Sequence, residues 1–136
     1  MATTRTARAL NAAVVGGRIV VGGGTLVAPR TMGRVFGVAP DETVALPYVG
    51  RLFGARAVFM ALLLATSHGV ERRRELRAGV VVDVVDALAA VSAGRHRDLD
   101  RRASRLACAA ALTEASMGVA LLALTRESAR TGSTVT

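Results

Sequence analysis

The chain contains no lysine and no tryptophan, and only one cysteine, one tyrosine, three phenylalanines and three prolines among its 136 residues. Each shortage closes a class of function. Without lysine there is no Walker-type phosphate loop. A single cysteine, Cys108, admits no intrachain disulfide, and its Ala-rich apolar surroundings make it a small buried hydrophobe rather than a stabilised thiolate. The net charge of +8 raises nucleic acid as a partner, but binders of that kind interleave their cations with stacking rings. Too few rings are present, so no nucleic-acid partner is expected. His68 and His96 stand a whole apolar stretch apart with no Cys/His cluster beside either, which leaves no metal site. Gly22-Gly23-Gly24 follows Ile19-Val20-Val21, yet Val27 occupies the third glycine position of a dinucleotide turn. No Ser/His/Asp set assembles a hydrolase. No catalytic residue and no cofactor is expected.

Long charge-free runs are missing as well. The longest is residues 57–70, short of the eighteen or more residues that mark a simple membrane span. A soluble or peripheral helical bundle acting through interactions therefore stands as the alternative reading. What the chain does have is an excess of apolar residues: 51% are hydrophobic and fourteen glycines add to them, against about 45–50% for soluble domains with glycine included. These residues gather in four stretches, 10–28, 46–67, 78–93 and 103–125. Arginine-rich or Pro/Gly-rich joints at 29–42, 69–77 and 94–102 separate them. Several segments are apolar all round, where a soluble amphipathic helix would need a wide polar face. The expected fold is all-α, a single four-helix transmembrane bundle over the whole chain, with a flexible tail at 126–136.

Small residues recur four apart in Ala9, Ala13 and Gly17, in Ala103, Ala107, Ala111 and Ala115, and in the Gly50/Gly54 pair. Such stripes let helix backbones approach closely inside lipid, within one chain or between copies in a homo-oligomer. Arg5 and Arg8 precede the first stretch as in a signal peptide, but Arg18 interrupts it and no A-x-A-like cleavage site follows. If all four stretches span, more arginines lie on the side of the two termini, which places both in the cytoplasm of a multi-pass cell-membrane protein.

Six ionisable groups fall inside these stretches: Arg18, Arg51, Arg56, Asp83, Asp86 and Glu114. Charges within a span are costly and mark function or pairing. At 1.5 Å per residue, Arg18, Arg56, Asp83, Asp86 and Glu114 all come to about 12–17 Å from one side, and Arg51 to about 6 Å. Five of the six thus share the middle of a hydrocarbon core roughly 30 Å thick. Asp83 and Asp86 lie three apart on one helix face, with Arg18 and Arg56 as the natural partners. Such a layer either locks helix register or lines a polar cavity for a small polar or lipophilic ligand or a proton.

Gly50-Arg51-Leu52-Phe53-Gly54-Ala55-Arg56 opens one apolar stretch, and Val82-Asp83-Val84-Val85-Asp86-Ala87 lies within the next. Together they resemble families of small four-helix bacterial integral membrane proteins, DoxX-like in layout, over roughly residues 10 to 125. The resemblance implies that Arg56, Asp83 and Asp86 belong to a shared core. It implies no activity. The functional expectation is a membrane-embedded binding or transport-accessory module. A third reading is a membrane-bound enzyme using Asp83 or Asp86 for proton transfer beside a lipophilic substrate.

Overall fold

Proline and glycine set the first joints of the chain. The computed structural model describes residues 2–39 and 45–132. Helix α1 runs from Ala2 to Val27 and stops at Ala28, whose backbone leaves the helical region, as expected for a residue preceding proline. Pro29 then opens a second, short helix, α2 (Pro29–Val35), at the first-turn position where its missing N–H costs nothing. Gly37 ends it with φ of +82°, while Val38 N–H donates to Gly33 O and Gly37 N–H to Arg34 O, the paired closure that a left-handed glycine permits.

Helix α3 (Leu46–Thr66) again carries proline in its first turn, and Ser67 ends it in extended backbone. Helix α4 (Gly69–His96) closes on Arg97, which takes the left-handed conformation. Asp100 caps helix α5 (Arg101–Gly132): its carboxylate accepts from Arg102 N–H at 2.7 Å, satisfying one orphan donor of the first turn.

The described residues therefore form five helices, not the four expected. The extra one, α2, lies inside what the sequence presented as a joint, because seven residues between a proline and a glycine carry no readable periodicity. Residues 69–77, expected as a second joint, are the first turns of α4. Glu and Arg are strong helix formers, and Glu71 in the first turn suits the helix dipole. Helix α5 continues to Gly132, past residue 126 where the flexible tail was expected to begin. Residues 133–136 lie outside the described residues.

The long helices alternate in direction. α1 packs closely on α3 and α4 on α5, and these two pairs meet more loosely along α1–α5 and α3–α4. The α1–α3 contact is backbone to backbone: a Cβ on Gly54 would stand 2.5 Å from Gly22 O and 2.6 Å from Leu26 N. Gly50, one turn earlier, rests against Thr25 and Pro29. In the α4–α5 pair, Ser104 Oγ donates to Ala90 O at 2.8 Å across the helices. Ala103 and Ala115 of the α5 stripe are buried, so part of that stripe is consumed within the chain, whereas Ala9 and Ala13 are exposed. Cys108 is half-buried.

Val14, Leu64, Leu76 and Leu121, one from each long helix, form a packed core toward the N-terminal end of α1. The outer surface is apolar to an unusual degree. Val20, Leu52, Phe59, Leu62, Val85, Leu88 and Val119 are all more than half exposed. Three helices, over Arg5–Val27, Leu46–Thr66 and Arg101–Thr125, are long and apolar enough to cross a membrane.

Candidate functional site: a charged floor beneath an apolar cavity

On α1, Asn11 and Arg18 lie seven residues apart and so share a face, and Arg72, Gly79 and Asp83 do the same on α4. These faces meet across the diagonal of the assembly. Arg72 donates to Asn11 Oδ1 at 2.5 Å. Two turns further along, Arg18 Nη2 donates to Asp83 Oδ2 at 2.5 Å, and Arg18 Nε reaches Glu114 Oε2 of α5 at 3.4 Å. The Val14–Leu76 core layer separates the two polar rungs.

Glycine makes room for the inner rung. A Cβ on Gly79 would stand 3.0 Å from the Arg18 guanidinium, and one on Gly17 would stand 2.8 Å from Glu114 Oε1. The three side chains are largely covered, at 10% exposure for Arg18, 12% for Asp83 and 22% for Glu114. One cation thus holds two carboxylates from two other helices.

Arg56 of α3 pairs with Asp86 of α4, the next inward position after Asp83. This pair is more open, at 41% and 27% exposure. Arg56 also lies over the Phe53 ring at 5.2 Å from its centroid, a cation–π geometry.

Above these charges the two helix pairs separate and leave a half-open cavity of about 570 Å³. Its floor is Arg18, Asp83, Glu114, Arg56 and Asp86. Its walls are apolar: Val21 and Ala57 from the first pair, Val82, Ala107 and Ala111 from the second. At the far end α2 and the segments beside it close over it with Met32, Phe36, Val38 and Leu46. Among the described residues, the hydroxyls on the walls are already committed, Thr25 to Val21 O at 2.6 Å and Thr113 to Ala109 O at 2.8 Å.

Of the six charged residues singled out in the sequence, the structure brings five together and leaves out Arg51. That side chain is exposed and borders a separate surface groove with Ala28, Pro29, Arg30, Thr31 and Pro47. The reason is rotation. Arg51 and Arg56 are five residues apart, which at about 100° per residue turns them some 140° from each other. Depth along a helix says nothing about that angle.

Sequence reasoning missed Gly79, Phe53 and the α2 residues. For Gly79 a signal existed, since it stands one turn before Asp83 on the same face. For α2 none did. Among the described residues, no three His, Cys, Asp or Glu side chains converge to hold a metal ion.

Compared with known proteins, the chain matches no family model, no curated protein and no solved structure. The site must therefore be read from its own chemistry. That chemistry is a layer of ion pairs, two arginines among three carboxylates, below an apolar-walled space, with α2 at the opposite end.

Proposed function

We propose that the chain is an integral membrane protein in which all four long helices cross the bilayer, and that its interior cavity binds a small lipophilic or amphiphilic ligand. It would serve as a binding or transport-accessory module. The observation that carries this reading is the inverted distribution of side chains: five charges line the cavity inside, while large aliphatic residues point outward on every long helix. A soluble bundle would bury those aliphatics and expose the charges.

α4 belongs to the same scheme. Residues 78–94 carry only two charges, Asp83 and Asp86, and both face inward to arginines, while Val81, Val84, Val85 and Leu88 point out. The charged first turns of α4 then extend beyond the hydrocarbon. Helix α3, at 21 residues, gives a length of about 32 Å, close to the roughly 30 Å such a core requires. With four crossings both termini would share one side, a reading the alternation of the helices supports, and the excess of arginine there favours the cytoplasm. The resemblance to DoxX-like proteins in layout is part of this proposal.

A cavity of this size lies within the range of small-molecule sites, about 300–1,000 Å³. The test is saturable binding of N-phenyl-1-naphthylamine, a neutral lipophilic fluorophore, to protein in lipid nanodiscs after subtraction of empty discs. One site per chain is expected, and Ala107→Phe, which fills the wall, should remove it without lowering thermal stability. Binding that never exceeds lipid partitioning would refute the cavity reading.

A further inference from the structure

The charges on the floor do not balance. Among the described residues, three carboxylates, Asp83, Asp86 and Glu114, face two guanidinium groups, Arg18 and Arg56. Arg56 is taken by Asp86, so Arg18 alone serves the other two. It does so unequally, at 2.5 Å to Asp83 and 3.4 Å to Glu114. An ionised carboxylate offers about four lone-pair sites, and Glu114 receives one long contact.

We propose that the cavity takes a lipophilic monovalent cation, an organic ammonium or phosphonium whose charged centre sits against Glu114 and whose apolar groups fill the space above. The proposal rests on the cavity reading and specifies its ligand. A guest of this kind supplies the counter-charge that the floor lacks. The walls suit it: Phe36, Met32 and Met60 supply an aromatic ring and polarisable thioethers, groups that attract cations without demanding hydrogen bonds.

An anion finds the opposite. Both guanidinium groups are already paired, and the Thr25 and Thr113 hydroxyls donate to their own helices. The nearby arginines of α2, Arg30 and Arg34, are exposed and do not line the cavity.

The experiment uses two probes of nearly identical shape and opposite charge, tetraphenylphosphonium and tetraphenylborate, with the full-length protein in phosphatidylcholine nanodiscs. Equilibrium dialysis against empty discs should give one saturable site for tetraphenylphosphonium and none for tetraphenylborate. Glu114→Gln leaves Arg18 paired with Asp83 and removes the surplus charge, so it should weaken the cation at least tenfold, while Glu114→Asp should retain most of the affinity. Should Glu114→Gln fail to fold, the two probes on the unaltered protein still decide.

Tetraphenylborate binding as tightly as its partner, or Glu114→Gln binding the cation as well as the unaltered chain, overturns the proposal. If N-phenyl-1-naphthylamine binds and tetraphenylphosphonium does not, the cation proposal falls and the cavity reading stands. If neither probe binds, both fall.

Discussion

Arg18 is the side chain on which the interior depends, because it joins three helices through two carboxylates in a largely covered place. Removing one member of a buried ion pair costs about 3–5 kcal/mol, since the partner is left charged and unpaired. Arg18→Met strands both Asp83 and Glu114 and should lower stability by that order in detergent unfolding. Adding Asp83→Asn and Glu114→Gln removes the stranded charges, so the triple variant should recover most of the loss. It would fold without the Arg18 cluster and its surplus carboxylate, and cation binding should vanish. The Arg56–Asp86 pair behaves differently. Its side chains are 41% and 27% exposed, and partial screening limits such a pair to about 1 kcal/mol, so Arg56→Met should be mild by the same measurement. An Arg18→Met protein as stable as the unaltered chain would mean that the layer is hydrated.

The helices themselves meet through small residues, and there the glycines divide into two kinds. Gly54 touches the α1 backbone, with no room for a methyl group between it and Gly22 O. Gly23 has nothing within 4 Å of where its Cβ would be. Gly54→Ala should therefore destabilise by about 1–3 kcal/mol through overpacking, whereas Gly23→Ala should be neutral or gain up to about 1 kcal/mol from helix propensity alone. Opposite signs for one chemical change, read as shifts in thermal midpoint, locate the α1–α3 contact. The Gly50/Gly54 spacing was legible in the sequence; its partner was not, because spacing gives a face and not what the face meets. Likewise the apolar stretches foreshadowed α1, α3, α4 and α5, while the charged start of α4 and the short α2 did not register. Hydropathy marks where a helix can cross lipid, not where its hydrogen-bond ladder begins. Counting depth grouped Arg18, Arg56, Asp83, Asp86 and Glu114, yet it could not exclude Arg51, which fails on rotation.

Between their charged ends the long helices turn five charges inward and large aliphatic side chains outward, an arrangement that fits a lipid surrounding. The decisive element is α4, which hydropathy alone does not qualify as a span because Asp83 and Asp86 interrupt it. If α4 crosses, the joint between α3 and α4 and the joint between α4 and α5 lie on opposite sides of the bilayer. If it does not, they share a side. Single cysteines at Ala39, His68 and Asp98, in a Cys108→Ala background, report this directly through labelling with a membrane-impermeant maleimide in intact cells and in inverted vesicles. With α4 across the bilayer, Ala39→Cys and Asp98→Cys label from the same side and His68→Cys from the other. Labelling of His68→Cys and Asp98→Cys from one side would contradict it, leaving α4 outside the bilayer and the cavity without its lipid-embedded fourth wall.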